Sequence, residues 1–175
     1  DDVAAEWATA DDLVLSKLRE RLGLDQVRWA VSGAAPIPTQ TLGFFVGLGI
    51  PMTELWGMSE LSCVATVSHP SDVKLGTVGR FLSGLECRIA DDGEVLVRGP
   101  LVMKGYRKEP VKTAETIDAE GWLHTGDVGH LDDEGYLTIV DRKKELIINA
   151  AGKNMSPANI EKSIKAACPL IGVVM

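Results

Sequence analysis

The spacing of apolar residues changes twice along this chain, and those changes limit the possible folds more than any single motif does. From Asp11 to about Ser68 helical and extended patterns alternate. Leu13, Leu15, Leu18 and Leu22 mark one face of a helix that Gly23 stops, and VRWAVSG at 27–33 then reads as a buried strand. Pro38 opens a second helix ending near Gly49, and the apolar stretch 50–56 supplies a second strand. Two strands joined through a helix form a βαβ unit, with parallel pairing and a right-handed crossover. From about His69 to Val140 short strands alternate instead with Asp/Gly turns: CRIA, Asp91-Asp92-Gly93, EVLVRG and GHLDDEGYLTIV. One helix, opened by Pro110, interrupts them. At Asp141 a charged cluster and the strand LIINA begin a third zone, in which Ser156 and Pro157 start a helix with Ile160 and Ile164 on its apolar face, before Pro169 and a last strand IGVVM. The expected fold class is α/β plus β. It comprises a parallel βαβ sheet fragment over 1–68, a small β-barrel subdomain or else a strongly bent sheet over 69–140, and over 141–175 a hinge with the truncated start of an α+β carboxy-terminal domain.

Composition removes several classes of function. With 175 residues and 45% apolar content the chain can bury a core, and a net charge of -7 without a basic cluster argues against a nucleic-acid partner. Cys63, Cys87 and Cys168 are odd in number and far apart, which fits neither a disulfide framework nor a zinc site and suggests a reducing cytoplasm. No apolar run approaches the roughly 20 residues needed for a membrane span. The acidic opening DDVAAEW lacks the features of a signal peptide, so the expected location is cytoplasmic, at most peripheral to a membrane.

In open parallel sheets ligands sit beyond the carboxyl ends of the strands, where two loops of this chain converge. Ser32-Gly33-Ala34-Ala35-Pro36 has small residues that admit a ligand close to the backbone; the alternative is an ordinary turn before a helix. Trp56-Gly57-Met58-Ser59-Glu60 offers a plane for a nucleobase, a hydroxyl for a phosphate oxygen and a hard anionic oxygen for Mg²⁺, or else it is a strand end with a solvated Glu. Asp127, in a Thr125-Gly126-Asp127 turn, can accept two hydrogen bonds from the vicinal hydroxyls of a ribose, or can bond its own backbone as an Asx-turn. The cluster Asp141-Arg142-Lys143-Lys144-Glu145 is either a solvated turn or, given its place between two textures, a hinge. His69, His124 and His130 are scattered, with only His124 near a candidate site. Cys63 reads as a small core residue, and Phe44 and Phe45 as packing against the sheet.

Taken in order, SGAAP at 32–36, ELWGMSE at 54–60, GWLHTGD at 121–127 and DRKKELIINAAGKNMSPANIE at 141–161 resemble the adenylate-forming superfamily of acyl-CoA synthetases, luciferase and nonribosomal peptide synthetase adenylation domains, and within it the long-chain fatty-acid CoA ligases. The resemblance implies that Gly33, Ala34, Ala35 and Pro36 lie along adenine. Trp56 stands where the family usually has a stacking Tyr, with Gly57 and Met58 beside it in the nucleotide pocket. Ser59, in place of the commoner Thr, would meet the α-phosphate, and Glu60 would ligate Mg²⁺, these two being the catalytic candidates. Asp127 would hold the ribose, Arg142 would add contacts, Lys144 would be the hinge and Gly152 would line the CoA passage. The implied substrates are ATP, a fatty acid and coenzyme A, joined through an acyl-adenylate to give acyl-CoA, AMP and pyrophosphate.

Two family elements have no counterpart here: a Gly/Ser/Thr-rich phosphate loop ending in Lys ahead of Gly33, and a late Lys on the swinging domain. The resulting expectation is a carboxy-side portion of the enzyme that does not turn over alone, either the product of a truncated reading frame or one half of a split enzyme whose amino-terminal half a separate polypeptide carries. The alternatives are a non-catalytic AMP-binding remnant, an interaction module, and a neighbouring adenylate-forming activity such as an acyl-AMP ligase or amino-acid activation.

Overall fold

The computed structural model describes residues 2–35, 37–148 and 154–168. Helix α1 (Asp2–Ala10), a π-helical stretch (Asp11–Leu15) and α2 (Ser16–Leu22) run on without a break. They stop where expected, at Gly23, whose left-handed φ of 69° lets its amide turn back to the Arg19 and Glu20 carbonyls. The crossover is as the spacing predicts. Strand β1 (Ala30–Ser32) runs parallel to β2 (Met52–Trp56), with Ala30 opposite Met52, and α3 (Thr39–Gly47) lies between them in sequence.

Two packing expectations fail in this first zone. Strand β1 was expected to be buried, but Val31 is exposed, because β1 pairs only with β2 among the described residues and stands at the edge of its sheet. On α3 the residue that turns inward is Leu42, while Phe44 points outward at 60% exposure and packs edge to face on Phe45.

After β2 the sheet becomes antiparallel. Strand β3 (Thr66–Val67) pairs with β2 and β4 (Arg80–Phe81) with β3, giving the order β1-β2-β3-β4. A second sheet is a meander of β5 (Glu86–Ile89), β6 (Glu94–Arg98), β7 (Leu123–Leu131) and β8 (Leu137–Arg142), with α4 (Pro110–Thr116) in the connection from β6 to β7. Its turns fall at the expected Asp/Gly positions, but it is an open sheet and no barrel closes among the described residues. Register shifts at Glu94/Leu96 and Val128/Gly129 bend the strands, yet so few of them do not bring the two edges together. Thr125, Gly126 and Asp127 lie inside β7 and do not form a separate turn. One buried cluster draws on both sheets: Trp56, Leu61 and Ala65 meet Val95, Val97, Leu123 and Leu137.

Beyond Arg142 a two-stranded ribbon pairs β9 (Ile147–Ile148) with β10 (Asn154–Met155), and α5 (Pro157–Ala167) follows. The Ser156 hydroxyl lies 2.5 Å from the Asp141 carboxylate, which ties the start of α5 back to β8. Pro36, Gly152 and the IGVVM segment lie outside the described residues. No described helix is long and apolar enough to cross a membrane.

Candidate active site

The loop after β2 takes its shape from Gly57 and two residues with left-handed backbone. A Cβ on Gly57 would fall 2.1 Å from the Cys63 carbonyl oxygen, so only glycine admits this close approach. Met58 is extended, and Ser59–Leu61 then make one 3-10 turn that Ser62 (φ 55°) and Cys63 (φ 87°) terminate. The Leu61 and Cys63 amides both donate to the Met58 carbonyl, at 2.9 and 3.0 Å, and the fully buried Leu61 side chain anchors the turn in the core. Cys63 is exposed, not a core residue.

This loop borders two cavities. One, of about 420 Å³, has Met58, Glu60, Arg142 and Lys144 in its wall together with Thr125 and Gly126. The other, of about 330 Å³, is lined by Gly33, Ala34, Gly57, Met58, Ser59 and Cys63. The loops after the parallel strands β1 and β2 therefore converge, as the βαβ unit requires, and Met58 separates the two spaces. Ala35 is exposed and borders neither of these cavities.

Trp56 and Asp127 stand behind this surface as a buried pair. Trp56 is 8% exposed and meets Phe81 edge to face at 6.1 Å, while its indole N–H donates to Asp127 Oδ2 at 2.8 Å. The other carboxylate oxygen of Asp127 takes the Arg142 Nε–H at 2.9 Å. Burial pushes the Asp127 carboxyl above its ordinary value, against the opposing pull of the indole N–H and the guanidinium. Its carboxylate is thus engaged across the fold, in contrast to the self-bonded Asx-turn that was the alternative.

Two residues that line the first cavity, Glu94 and Tyr106, had no place in the sequence reading. Glu94 is buried and accepts the Gly126 amide at 2.8 Å and the Lys143 ammonium at 2.8 Å, with His124 Nδ1 at 3.5 Å. Burial would raise the Glu94 carboxyl, but these donors outweigh it and hold the group below its ordinary value. Lys143 also reaches Asp92 at 2.6 Å, and its amide donates to the Gly126 carbonyl at 2.8 Å, so this part of the charged cluster is fastened to the sheet. Tyr106, finally, donates its hydroxyl to Glu60 at 2.7 Å. A charge opening the apolar run EVLVRG was the one available signal for Glu94.

Among the described residues no group of three or more His, Cys, Asp or Glu could hold a metal ion on its own.

A profile of the family described as AMP-binding enzyme matches residues 6–107, more than half of the chain. The chain belongs to the AMP-binding enzyme family. The matched stretch of this AMP-binding enzyme contains both loops after the parallel strands and Tyr106. Over all 175 residues the chain is 73% identical to a putative fatty-acid–CoA ligase, fadD11, of Mycobacterium tuberculosis, and covers 31% of that protein. It is 42% identical over 179 residues to a long-chain-fatty-acid–CoA ligase of Gallus gallus, covering 99% of this chain and 24% of that one. The chain therefore spans about 31% or less of the length of these curated relatives. The O-succinylbenzoate coenzyme A synthetase of Bacillus subtilis, solved with ATP and magnesium ion, superimposes with a TM-score of 0.72 at 31% identity, over 87% of this chain and 34% of that one.

Proposed function

We propose that this AMP-binding enzyme chain is the nucleotide-facing portion of a fatty-acid–CoA ligase, which joins a fatty acid to the α-phosphorus of ATP as an acyl-adenylate, with the bond from that phosphorus to the leaving pyrophosphate breaking, and then passes the acyl group to coenzyme A. The observation that carries this reading is the single cavity whose wall combines the carboxylate of Glu60 with the cations Arg142 and Lys144. Attack of a carboxylate on the α-phosphorus of ATP brings one anion to another, so the site must offset charge and hold both reactants in line. Arg142 and Lys144 supply positive charge, and Ser59 supplies a hydroxyl beside the backbone of Gly33 and Ala34 in the adjoining cavity. In the second step the coenzyme A thiol attacks the acyl carbon, the carbonyl carbon–oxygen bond to AMP breaks, and AMP leaves with that oxygen.

The residues present fit magnesium as a partner of bound phosphate. Mg²⁺ commonly uses one or two protein carboxylates plus phosphate oxygens and water, and Glu60 offers one such carboxylate on the cavity wall. When bound, the ion would shield negative charge on the phosphates. Asp127 would take the ribose hydroxyls by exchanging its bond to Arg142, whose side chain is half exposed. In this proposal the segments 1–68 and 69–140 together form the nucleotide-facing body, β4 of the second completing the sheet begun by the first, and 141–175 begins a moving part that pivots at Lys144, with Gly152 along the coenzyme A passage. The remaining length of the relatives, on the same or a separate polypeptide, completes the enzyme, and a cytoplasmic location suits its substrates.

Calorimetric titration of the full chain with AMP and with ATP, each with and without Mg²⁺, tests the reading. AMP binds without metal, Mg²⁺ strengthens ATP binding, and Glu60→Gln removes that strengthening. AMP also slows alkylation of the exposed Cys63, which lines the second cavity. Absence of AMP binding together with unprotected Cys63 would sink the proposal.

A further inference from the structure

Glu60 is gripped at both its ends by one neighbouring segment, an arrangement the two-loop description of the site leaves unexplained. Its carbonyl accepts the Met103 amide at 2.8 Å, and its Oε1 accepts the Tyr106 hydroxyl at 2.7 Å. We propose that Tyr106 is a positioning residue for Glu60: it fixes one carboxylate oxygen so that the other faces the cavity and the phosphate-bound cation. The inference rests on the reading of Glu60 given above.

The grip has a rigid support. The Tyr106 amide donates to Thr113 Oγ1 at 2.9 Å, and that hydroxyl donates in turn at 2.8 Å to the carbonyl of Glu109, the residue that immediately precedes α4. Gly105 permits the contact, for its φ is 140° and a Cβ there would fall 2.7 Å from Thr113 Cγ2. A continuous path thus leads from α4 through Thr113 and Tyr106 to Glu60. Lys112 stands on the same helix with its ammonium 4.6 Å from the Tyr106 ring centroid, a cation–π contact that holds the ring from the α4 side.

The chemistry of the partner matters as much as its place. An Arg or Lys bonded to Glu60 would orient it but would also neutralise it, leaving a poor ligand for a cation. A phenol orients the carboxylate and leaves its full negative charge, as the outer partners of metal-binding carboxylates generally do. The bond in turn raises the Tyr106 phenol above its ordinary value, chiefly because the hydroxyl is held by Glu60.

Metal dependence in the full chain tests the proposal, with Mn²⁺ as the titrant and ATP binding as the readout. Tyr106→Phe raises the Mn²⁺ concentration for half-maximal strengthening of ATP binding by about tenfold and has no further effect in a Glu60→Gln background. The proposal is overturned if Tyr106→Phe titrates like the parent, or if its effect persists undiminished with Glu60→Gln. Should Glu60→Gln itself leave the Mn²⁺ response intact, or should ATP binding show no metal response at all, the reading of Glu60 fails and this inference with it. A second measurement needs no nucleotide: in urea unfolding, Tyr106→Phe and Glu60→Gln together cost less than the sum of the single losses, and strictly additive losses would show that the two side chains are not coupled.

Discussion

The helical layer of α1, α2 and α3 and the antiparallel sheet β5 to β8 both carry apolar stripes, but only the sheet encloses them. Val95, Val97, Leu123 and Leu137 are fully or almost fully buried, whereas Val3, Leu13, Leu22 and Phe44 on the helices are more than half exposed. Strand β2 belongs to both regions, since it pairs with β1 on one side and with β3 on the other, and Trp56 at its end bonds across to Asp127. The candidate site follows this seam. Its sheet-side members, Glu60 and Arg142, are fixed by named partners, while Gly33 and Ala34 on the helical side are exposed backbone at the end of an edge strand. Enclosure, more than apolar content, decides how firmly a functional side chain is aimed.

The same substitution made in both regions sharpens this contrast most. Gly57→Ala forces a methyl group into the backbone of Cys63 and Val64, with contacts of 2.1 and 2.8 Å to the Cys63 carbonyl group and 2.9 Å to the Val64 Cα that no side-chain rotation relieves. A loss of about 3 kcal/mol in urea unfolding is expected, at the upper end of the cost of overpacking. Gly43→Ala lies inside α3, meets nothing within 4 Å, and removes the helix cost of glycine. It should raise stability by about 0.5–1 kcal/mol. Equal effects at the two positions would mean that the seam is no tighter than the helices.

Trp56→Phe keeps a ring in the cluster but removes the N–H from Asp127. The buried carboxylate then retains Arg142 alone, and a loss of about 2 kcal/mol at neutral pH is expected from the unsatisfied group. The sign of its pH dependence follows from the raised folded value of Asp127. A group whose value is raised on folding penalises the folded state when ionised, and the penalty fades as pH falls through the folded value toward the ordinary 3.8. The difference between Trp56→Phe and the parent should therefore narrow between neutral pH and about pH 4 in urea midpoints.

These two cases also mark what could be read from residue order. Gly23 as a stop, the parallel crossover and the Asp/Gly turns were legible because spacing and turn chemistry act locally. Burial of Glu94, the bond from Trp56 to Asp127 and the hold of Tyr106 on Glu60 join residues 30 or more positions apart, and no local pattern encodes such pairs. The residues gathered at the first cavity came chiefly from the resemblance. The stacking role expected of Trp56 faces a physical condition that the resemblance did not contain: the ring lies in the core, so a nucleobase reaches it only if the surrounding side chains move.

A smaller effect comes from Lys143, which ties the charged cluster to Glu94 and Asp92. The Glu94 carboxyl is held below its ordinary 4.5, so its contribution to stability is present above that pH and is lost as pH falls through the folded value. Lys143→Met should cost about 1 kcal/mol at neutral pH, because the ammonium is 44% exposed and water screens it. Without it burial dominates, Glu94 titrates higher, and acid unfolding begins at a higher pH. An unchanged acid transition would mean that the Gly126 amide alone holds the carboxylate.

The smallest effect belongs to the open helical face, and there the comparison can be broken outright. Leu13→Gln and Leu22→Gln replace side chains that are 59% and 58% exposed, so little apolar area returns to water when they are shortened to amides. Each should change the urea midpoint by no more than about 0.5 kcal/mol in free energy, against a loss of about 3 kcal/mol for Leu137→Ala in the fully buried cluster. If the leucines instead proved costly at high protein concentration and neutral at low, the helical face would be covered by a second copy of the chain. Light scattering across the same concentration range would then show the mass rise that monomers do not give. A cost independent of concentration would mean that these helices pack their apolar stripe within the chain, and the contrast between the two regions would fall.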